Sequence, residues 1–404
     1  GERAAHSELH RLGALEPARA AELCRRLLEP AENVPAAAID RLVQRTQGIP
    51  LLLVELVRGL KREGLVRKRM RGDTWFLATD ELEKLPDSPL IEWLAEREVS
   101  ALPRELASHT RLAALLGSEF GAHEVDGVVA ELDAEGVGAD FPLDAQVATR
   151  RLVGLGLLVT TRAGGFRFRH ALVRDAVAQS VPAAQLERVH RAAARFYRTT
   201  RSLPDVRRLP LLARHAAEAG LRDEAALLYL QLAEDARERH AYLDAERSYS
   251  HSLDLTPDTD RGSRLIATRG RGITRYRIGR YDDAIQDLSW ARELARGDAL
   301  AEAEIVLDTA TALDWMSDYS RSRGLVSEAE GLVTKVDSAP LEARLVMGKA
   351  RALLREGRRS EAAAMFEQAQ RLAEAVGDAE YETSIVSLVM LVGLLPELGR
   401  IDEA

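Results

Sequence analysis

The side chains able to do chemistry are few, and their spacing mostly excludes reactions. Of nine histidines, only His6 and His10 approach a metal-binding spacing, and they sit at what reads as a frayed end, so no metal site is expected. The stretch HEVDG at His123 is not the H-E-x-x-H of zinc peptidases. There is no G-x-S-x-G, and Gly154 and Gly156 form a lone G-x-G, too little for a dinucleotide site. The phosphate-cradling G-x-x-x-x-G-K-[ST] is missing: Gly348-Lys349 lacks the preceding glycine and lies in an apparent helix. The single cysteine, Cys24, builds neither a disulfide framework nor a thiolate cluster. Catalysis by these residues is not expected.

Two basic stretches remain. Lys61, Arg62, Arg67, Lys68, Arg69 and Arg71 surround a Gly-Asp turn. They either face an anion or form a solvated edge that discourages strand pairing. In FRFRH, Arg167 and Arg169 alternate with Phe166 and Phe168, which gives a strand one basic face. A reader of a DNA groove needs a wider basic patch. The net charge of −8 gives no whole-chain preference for nucleic acid.

Elements must position these residues, and composition favours helices. Apolar residues are 46% and charged residues 30%, enough for a packed core, with aromatics at only 5%. A length of 404 residues suggests two to four domains of roughly 100–200 residues each, unless a repeat sets the architecture. No apolar run reaches the roughly 18–20 residues needed to span a bilayer and no signal peptide is seen, so a cytoplasmic location is expected. The start without Met and the ending GRIDEA suggest a segment of a longer protein.

Residues 1–65 read as helices. EPARAAELCRRLLEP places Ala18, Ala21, Leu23, Leu27 and Leu28 at helical spacing. VPAAAIDRLVQRTQG follows, with Pro35 at a first helical position and Gly48 as a stop. Pro50 then opens PLLLVELVRGLKREG, whose stripe is Leu52, Leu53, Leu56, Val57 and Leu60. Residues 66–87 read as a hairpin linker containing Trp75. Residues 88–182 read as helices (SPLIEWLAEREVSAL, RELASHTRLAALLG, EVDGVVAELDAEG, DAQVATRRLVGLG), then two short strands around Ala163-Gly164-Gly165. Helices closed by a two-stranded hairpin describe a winged helix.

Residues 183–404 carry a repeat. GLRDEA, GRYDDA, GRRSEA and GRIDEA align, with weaker copies HAYLDA and SDYSRS. Their last positions are 225, 245, 284, 322, 362 and 404, and the steps after the first are 39, 38, 40 and 42. A period near 40 means stacked helical hairpins. Glycine turns the chain between two helices, the small alanine lets them approach, and Leu228, Tyr249, Leu288 or Phe366 fills the gap. The first step of 20 fits one helix, 223–239, shared between neighbouring hairpins. The pattern resembles a tetratricopeptide repeat (TPR) with a period longer than usual. The fold class is therefore mainly α: a helical subdomain and winged helix, then a TPR-like α-solenoid.

The ordered set also resembles the C-terminal two-thirds of bacterial signal-transduction ATPases with numerous domains (STAND ATPases). These include maltose-regulon-type activators, large LuxR-type regulators, and kinases or cyclases with an AAA-like ATPase and TPRs. The family's lid phrase G-N-P-L-F-x-x-E-L is matched by Gly48-Ile49-Pro50-Leu51-Leu52-Leu53-Val54-Glu55-Leu56, with Ile49 departing from Asn. Its winged-helix phrase F-R-F-x-H-x-L is matched by Phe166 to Leu172. The resemblance implies that 1–65 is the lid of an ATPase module. It implies that Gly48 and Pro50 pack on the adenine of ATP or ADP and that His170 reaches the ADP β-phosphate. Arg169 is a secondary anion contact, and Mg is held only through a missing upstream P-loop domain. It further implies that the segment is not itself an enzyme, that the array binds a protein or small-molecule signal, and that activation brings homo-oligomerisation. The competing readings are a plain TPR scaffold for protein partners and a DNA-binding transcription factor acting through the winged helix.

Overall fold

A computed structural model describes residues 14–62, 64–68, 74–79, 99–136, 141–377 and 380–403. The chain is mainly α and divides into two compact units, the first ending at Phe196 and the second starting at Tyr197.

The first unit opens with three helices, α1 (Pro17–Leu28), α2 (Ala36–Arg45) and α3 (Pro50–Arg62). Burial follows the α3 stripe expected from sequence: Leu52, Leu53, Leu56, Val57 and Leu60 are all inside. On α1 the buried line is Ala20, Cys24 and Leu28, while Ala18 is exposed. The face is rotated from the expected stripe, and Cys24 packs in it as a small apolar group. Pro35 takes the position ahead of α2 rather than the first one inside it. Strands β1 (Val66–Lys68) and β2 (Trp75–Leu77) pair antiparallel, Val66 opposite Leu77. Both of those residues join the core of α1–α3, so these strands are part of the helical body. The turn with Arg69 and Arg71, and most of the helix expected over 88–102, lie outside the described residues.

Three helices then precede a second hairpin: α4 (Arg104–Leu116), α5 (Ala122–Asp133) and α6 (Ala145–Gly154), then β3 (Leu158–Thr160) and β4 (Phe166–Phe168). Phe120, between α4 and α5, exchanges backbone hydrogen bonds with Phe166 at 3.0 and 2.8 Å. That bridge covers one edge of the hairpin, and Phe120 is itself fully buried. Helices α7 (Ala171–Gln179) and α8 (Ala183–Thr199) follow, and the division between the units falls within α8.

The second unit is a solenoid of antiparallel helical hairpins: α9 (Asp205–Glu218), α10 (Arg222–Glu238), α11 (Tyr242–Leu255), α12 (Arg261–Arg277), α13 (Tyr281–Leu294), α14 (Ala299–Trp315), α15 (Tyr319–Val333), α16 (Ala339–Arg355), α17 (Arg359–Val376) and α18 (Tyr381–Glu397). The turn residue of each repeat is left-handed, with φ 81° at Gly279. In the two weaker copies His240 and Ser317 adopt the same conformation, φ 58° and 63°. The residue ending each copy up to 362 is packed between helices: Ala225, Ala245, Ala284 and Ala362 are fully buried, and Ser322 nearly so. Four residues on, Tyr249, Leu288 and Phe366 are fully buried as well. Helix α10 packs against both α9 and α11, which explains the first step of 20 in the repeat. Helices α10, α12, α14, α16 and α18 touch one another in sequence, so they line the inner side of the curve.

Candidate functional site

The turn before α3 is built by its own backbone. Helix α2 ends at Arg45, and the Thr46 hydroxyl donates to the carbonyls of Leu42 and Val43 at 3.0 Å each. Gln47 and Gly48 are then both left-handed, φ 51° and 69°, which reverses the chain into Pro50. The Gly48 carbonyl accepts from the Leu15 amide at 2.8 Å. A Cβ on Gly48 would stand 2.8 Å from the Leu15 carbonyl oxygen. The close approach that Gly48 permits is therefore made by the segment ahead of α1, inside the helical body. Pro50 begins α3 half-buried, where its missing amide hydrogen costs nothing.

His170 is the residue ahead of α7, in extended conformation (φ −126°, ψ 119°). Its Nε2 lies 3.2 Å from Oε1 of Glu55, in the second turn of α3. The approach is close enough for an ion pair when the ring carries both protons, but out of line for a hydrogen bond. The buried Nε2 thus has no hydrogen-bond partner among the described residues. Glu55 also accepts from Arg58 Nη1 at 2.8 Å. Leu172, two residues past His170, packs on the apolar core of α1–α3. The phrases around Pro50 and around His170, more than 100 residues apart in the chain, are in this way joined through α3.

The other candidates fare differently. Arg167 and Arg169 are exposed. The Arg169 guanidinium lies against Gly156, where an added Cβ would stand 3.2 Å from it. Arg174 pairs with its neighbour Asp175. Among the described residues no His, Cys, Asp and Glu cluster is arranged for a metal ion, and no helix is long and apolar enough to cross a membrane.

The inner side of the array holds a group that the repeat pattern hides. Asp308 of α14 is buried and ion-pairs with Arg269 of α12 and Arg344 of α16. Burial alone would raise its pKa, but Arg344 and Arg269 outweigh it and hold the carboxyl below its usual value. On α12, Arg271 and Arg275 share the buried Asp287 of α13 at 2.8 Å each. Repeat matching scores only turn and packing positions, so mid-helix charges escape it. Glu55 was legible only as part of the lid phrase, with nothing to say what it faces.

No family model matches the chain, and no curated protein does. Among solved structures it is similar to a Signal Transduction ATPase with Numerous Domains (STAND) protein with a tetratricopeptide repeat sensor from Pyrococcus horikoshii. That match has 15% identity and a TM-score of 0.41, covering 96% of this chain and 54% of the other. The chain thus spans about half the length of that protein. It is similar to a tetratricopeptide repeat protein from Parabacteroides merdae, at 14% identity and TM-score 0.28, over 87% of this chain and all of that one. It is also similar to yeast Tom70, at 15% identity and TM-score 0.33, over 96% of this chain and 83% of that one.

Proposed function

We propose that this chain is the regulatory and sensing part of a STAND-type signalling ATPase. The helical body of α1–α3 acts as a lid, the three helices with the second hairpin as a winged helix, and the array as the signal-binding part. One observation carries the reading: His170 Nε2 is a buried polar atom with no hydrogen-bond partner among the described residues, held beside Glu55 on the helix that Pro50 begins. A buried polar atom without a partner suits an acceptor supplied from outside the chain. A phosphate oxygen is such an acceptor, and an imidazole donates to it best when protonated.

The nucleotide would be ADP or ATP, held mainly by a P-loop domain that is not in this sequence, which would also hold Mg. His170 would donate to phosphate and Pro50 would offer a flat apolar surface to adenine. Gly48 would act indirectly, by shaping the turn, since its open side is filled by Leu15. Arg169 is exposed and would serve as an outer anion contact. Signal binding to the array would then release the closed state and allow assembly of further copies. ATP hydrolysis belongs to the whole protein rather than to these residues.

The test uses a longer chain carrying a P-loop domain. His170→Ala should shorten ADP retention by about tenfold or more, the loss of one charge-assisted hydrogen bond. Unchanged retention would sink the sensor role of His170.

A plain protein-binding scaffold is the second reading. It is favoured by the uninterrupted stacking of α9–α18. It gains if nucleotide binding does not depend on His170.

A further inference from the structure

The negative charge of this chain is unevenly spread. Its 404 residues hold 64 aspartates and glutamates, yet none falls between Ala145 and Arg174. Arg150, Arg151, Arg162, Arg167, Arg169 and Arg174 all lie in that stretch. It comprises α6, the hairpin β3–β4 and the first turn of α7. The acids on its borders are already engaged. Asp144 caps α6, accepting from the amides of Gln146 and Val147 at 2.9 and 3.1 Å, and Asp175 pairs with Arg174.

The fold turns these arginines outward. Helix α6 buries Ala145, Ala148, Thr149 and Leu152, so its other side carries Gln146, Val147, Arg150 and Arg151, all exposed. The same helix packs on β3. In β4, Phe168 is buried and Phe166 half-buried, and alternation turns Arg167 to the opposite side. Arg162 is exposed in the turn of the hairpin. That turn is braced by its own groups: the Thr161 amide donates to the Gly165 carbonyl at 2.8 Å, and the Gly165 amide to Thr161 Oγ1 at 3.1 Å. A short, stiff arm thus stands beside an exposed helix.

The charges on this surface are uncompensated. Among the described residues, Arg150, Arg151, Arg162 and Arg167 have no carboxylate within ion-pairing distance. Arg150 Nη2 donates to Gln146 Oε1 at 3.4 Å, a neutral partner. The arginines of the array are different, since carboxylates of neighbouring helices meet them, as Asp287 meets Arg271.

We propose that α6 and the β3–β4 hairpin form a binding surface for double-stranded DNA. A helix about 10–12 Å across enters a major groove about 12 Å wide. Gln146 and Arg150, one turn apart on the exposed side, are the side-chain types that read adenine and guanine edges there. Arg151, Arg162 and Arg167 face the phosphates beside the groove. The basic patch that one alternating strand is too narrow to supply is completed by the helix and the turn. This surface shares neither His170 nor Arg169 with the nucleotide reading and stands without it.

The test uses the 404-residue chain and a fluorescein-labelled duplex of mixed sequence, about 20 base pairs or two helical turns long. Anisotropy is read between about 50 and 200 mM salt. The parent chain should bind with a slope of log affinity on log salt of about −3, close to one for each phosphate-facing arginine. R162Q/R167Q should weaken binding about tenfold at the lower salt and flatten the slope by about 2. R162K/R167K, which keeps the charge, should restore the slope, as a merely structural role would not require. R150Q should weaken binding too, whereas R321Q, an exposed arginine of the array, should leave it unchanged. No binding of the duplex at the lower salt overturns the proposal, as does binding that R162Q/R167Q leaves intact. Equal affinity for the single strand removes the groove and overturns it. Equal affinity for polyglutamate also overturns it, because the surface would then take an acidic protein segment as readily. Each of these failures leaves the nucleotide reading standing.

Discussion

His170 Nε2 lies 3.2 Å from Oε1 of Glu55, so the residue ahead of α7 faces a carboxylate on α3. Side-chain exposures of 24% and 13% put the pair between surface and core. A double-mutant cycle with E55Q and H170A should therefore give a coupling of about 0.5–1 kcal/mol, measured by urea unfolding. The His170 ring resonances should shift in E55Q, and no shift would mean that the two groups do not interact in solution.

Gly48→Ala should destabilise the first unit by about 1–3 kcal/mol. Two costs add: a left-handed φ of 69° and a Cβ placed 2.8 Å from the Leu15 carbonyl oxygen. Thermal unfolding followed by circular dichroism would check it, and a neutral outcome would show that the Leu15 segment yields freely.

Ser317→Gly should stabilise the array by about 0.5–1 kcal/mol, because Ser317 holds φ 63° that glycine adopts without steric cost. His240→Gly should gain less. It removes the same strain at φ 58° but loses the 2.8 Å contact between His240 Nδ1 and the Tyr242 hydroxyl, closer than the 3.3 Å hydrogen bond that the Tyr319 hydroxyl donates to Ser317 Oγ. Ranking the two by denaturation midpoint tests the argument.

Asp308→Asn should cost about 3 kcal/mol, since it leaves Arg269 and Arg344 partly buried beside a neutral group. The pH dependence has a definite sign. The folded pKa of Asp308 is depressed, so its contribution is full above the unfolded value of about 4 and is lost as pH falls through the folded value. Denaturation midpoints of the parent chain should drop below about pH 4 more steeply than those of D308N.

Cys24 is fully buried and its thiol is pushed up to about 11 by burial, which outweighs the nearby Arg25. At pH 8 a thiol reagent should label the folded chain orders of magnitude more slowly than the urea-unfolded chain. Rapid labelling of the folded chain would contradict the packing of α1.

Much of the fold was legible because helices declare themselves locally. The α3 stripe, the left-handed turns and the buried alanines of the array follow from spacing and residue size. The rotated face of α1 was not legible, because an alanine-rich helix offers small apolar residues on more than one side. The strands of residues 66–77 read as linker because three-residue strands show almost no period, yet Val66 and Leu77 complete the core of α1–α3. At the candidate site, the phrases around Pro50 and His170 stood out as phrases.

The sequence by itself determined the helices, the period near 40 and the lack of a phosphate-binding loop, since each depends on neighbours within a few turns of chain. Only the tertiary structure decided that His170 faces Glu55, that Gly48 is closed over by Leu15, and that Arg277 reaches Glu382. Those pairings depend on how far each helix is rotated when its apolar face is buried. A long polar side chain at the edge of that face takes whichever opposite charge packing brings within reach, and no local pattern encodes which one that is.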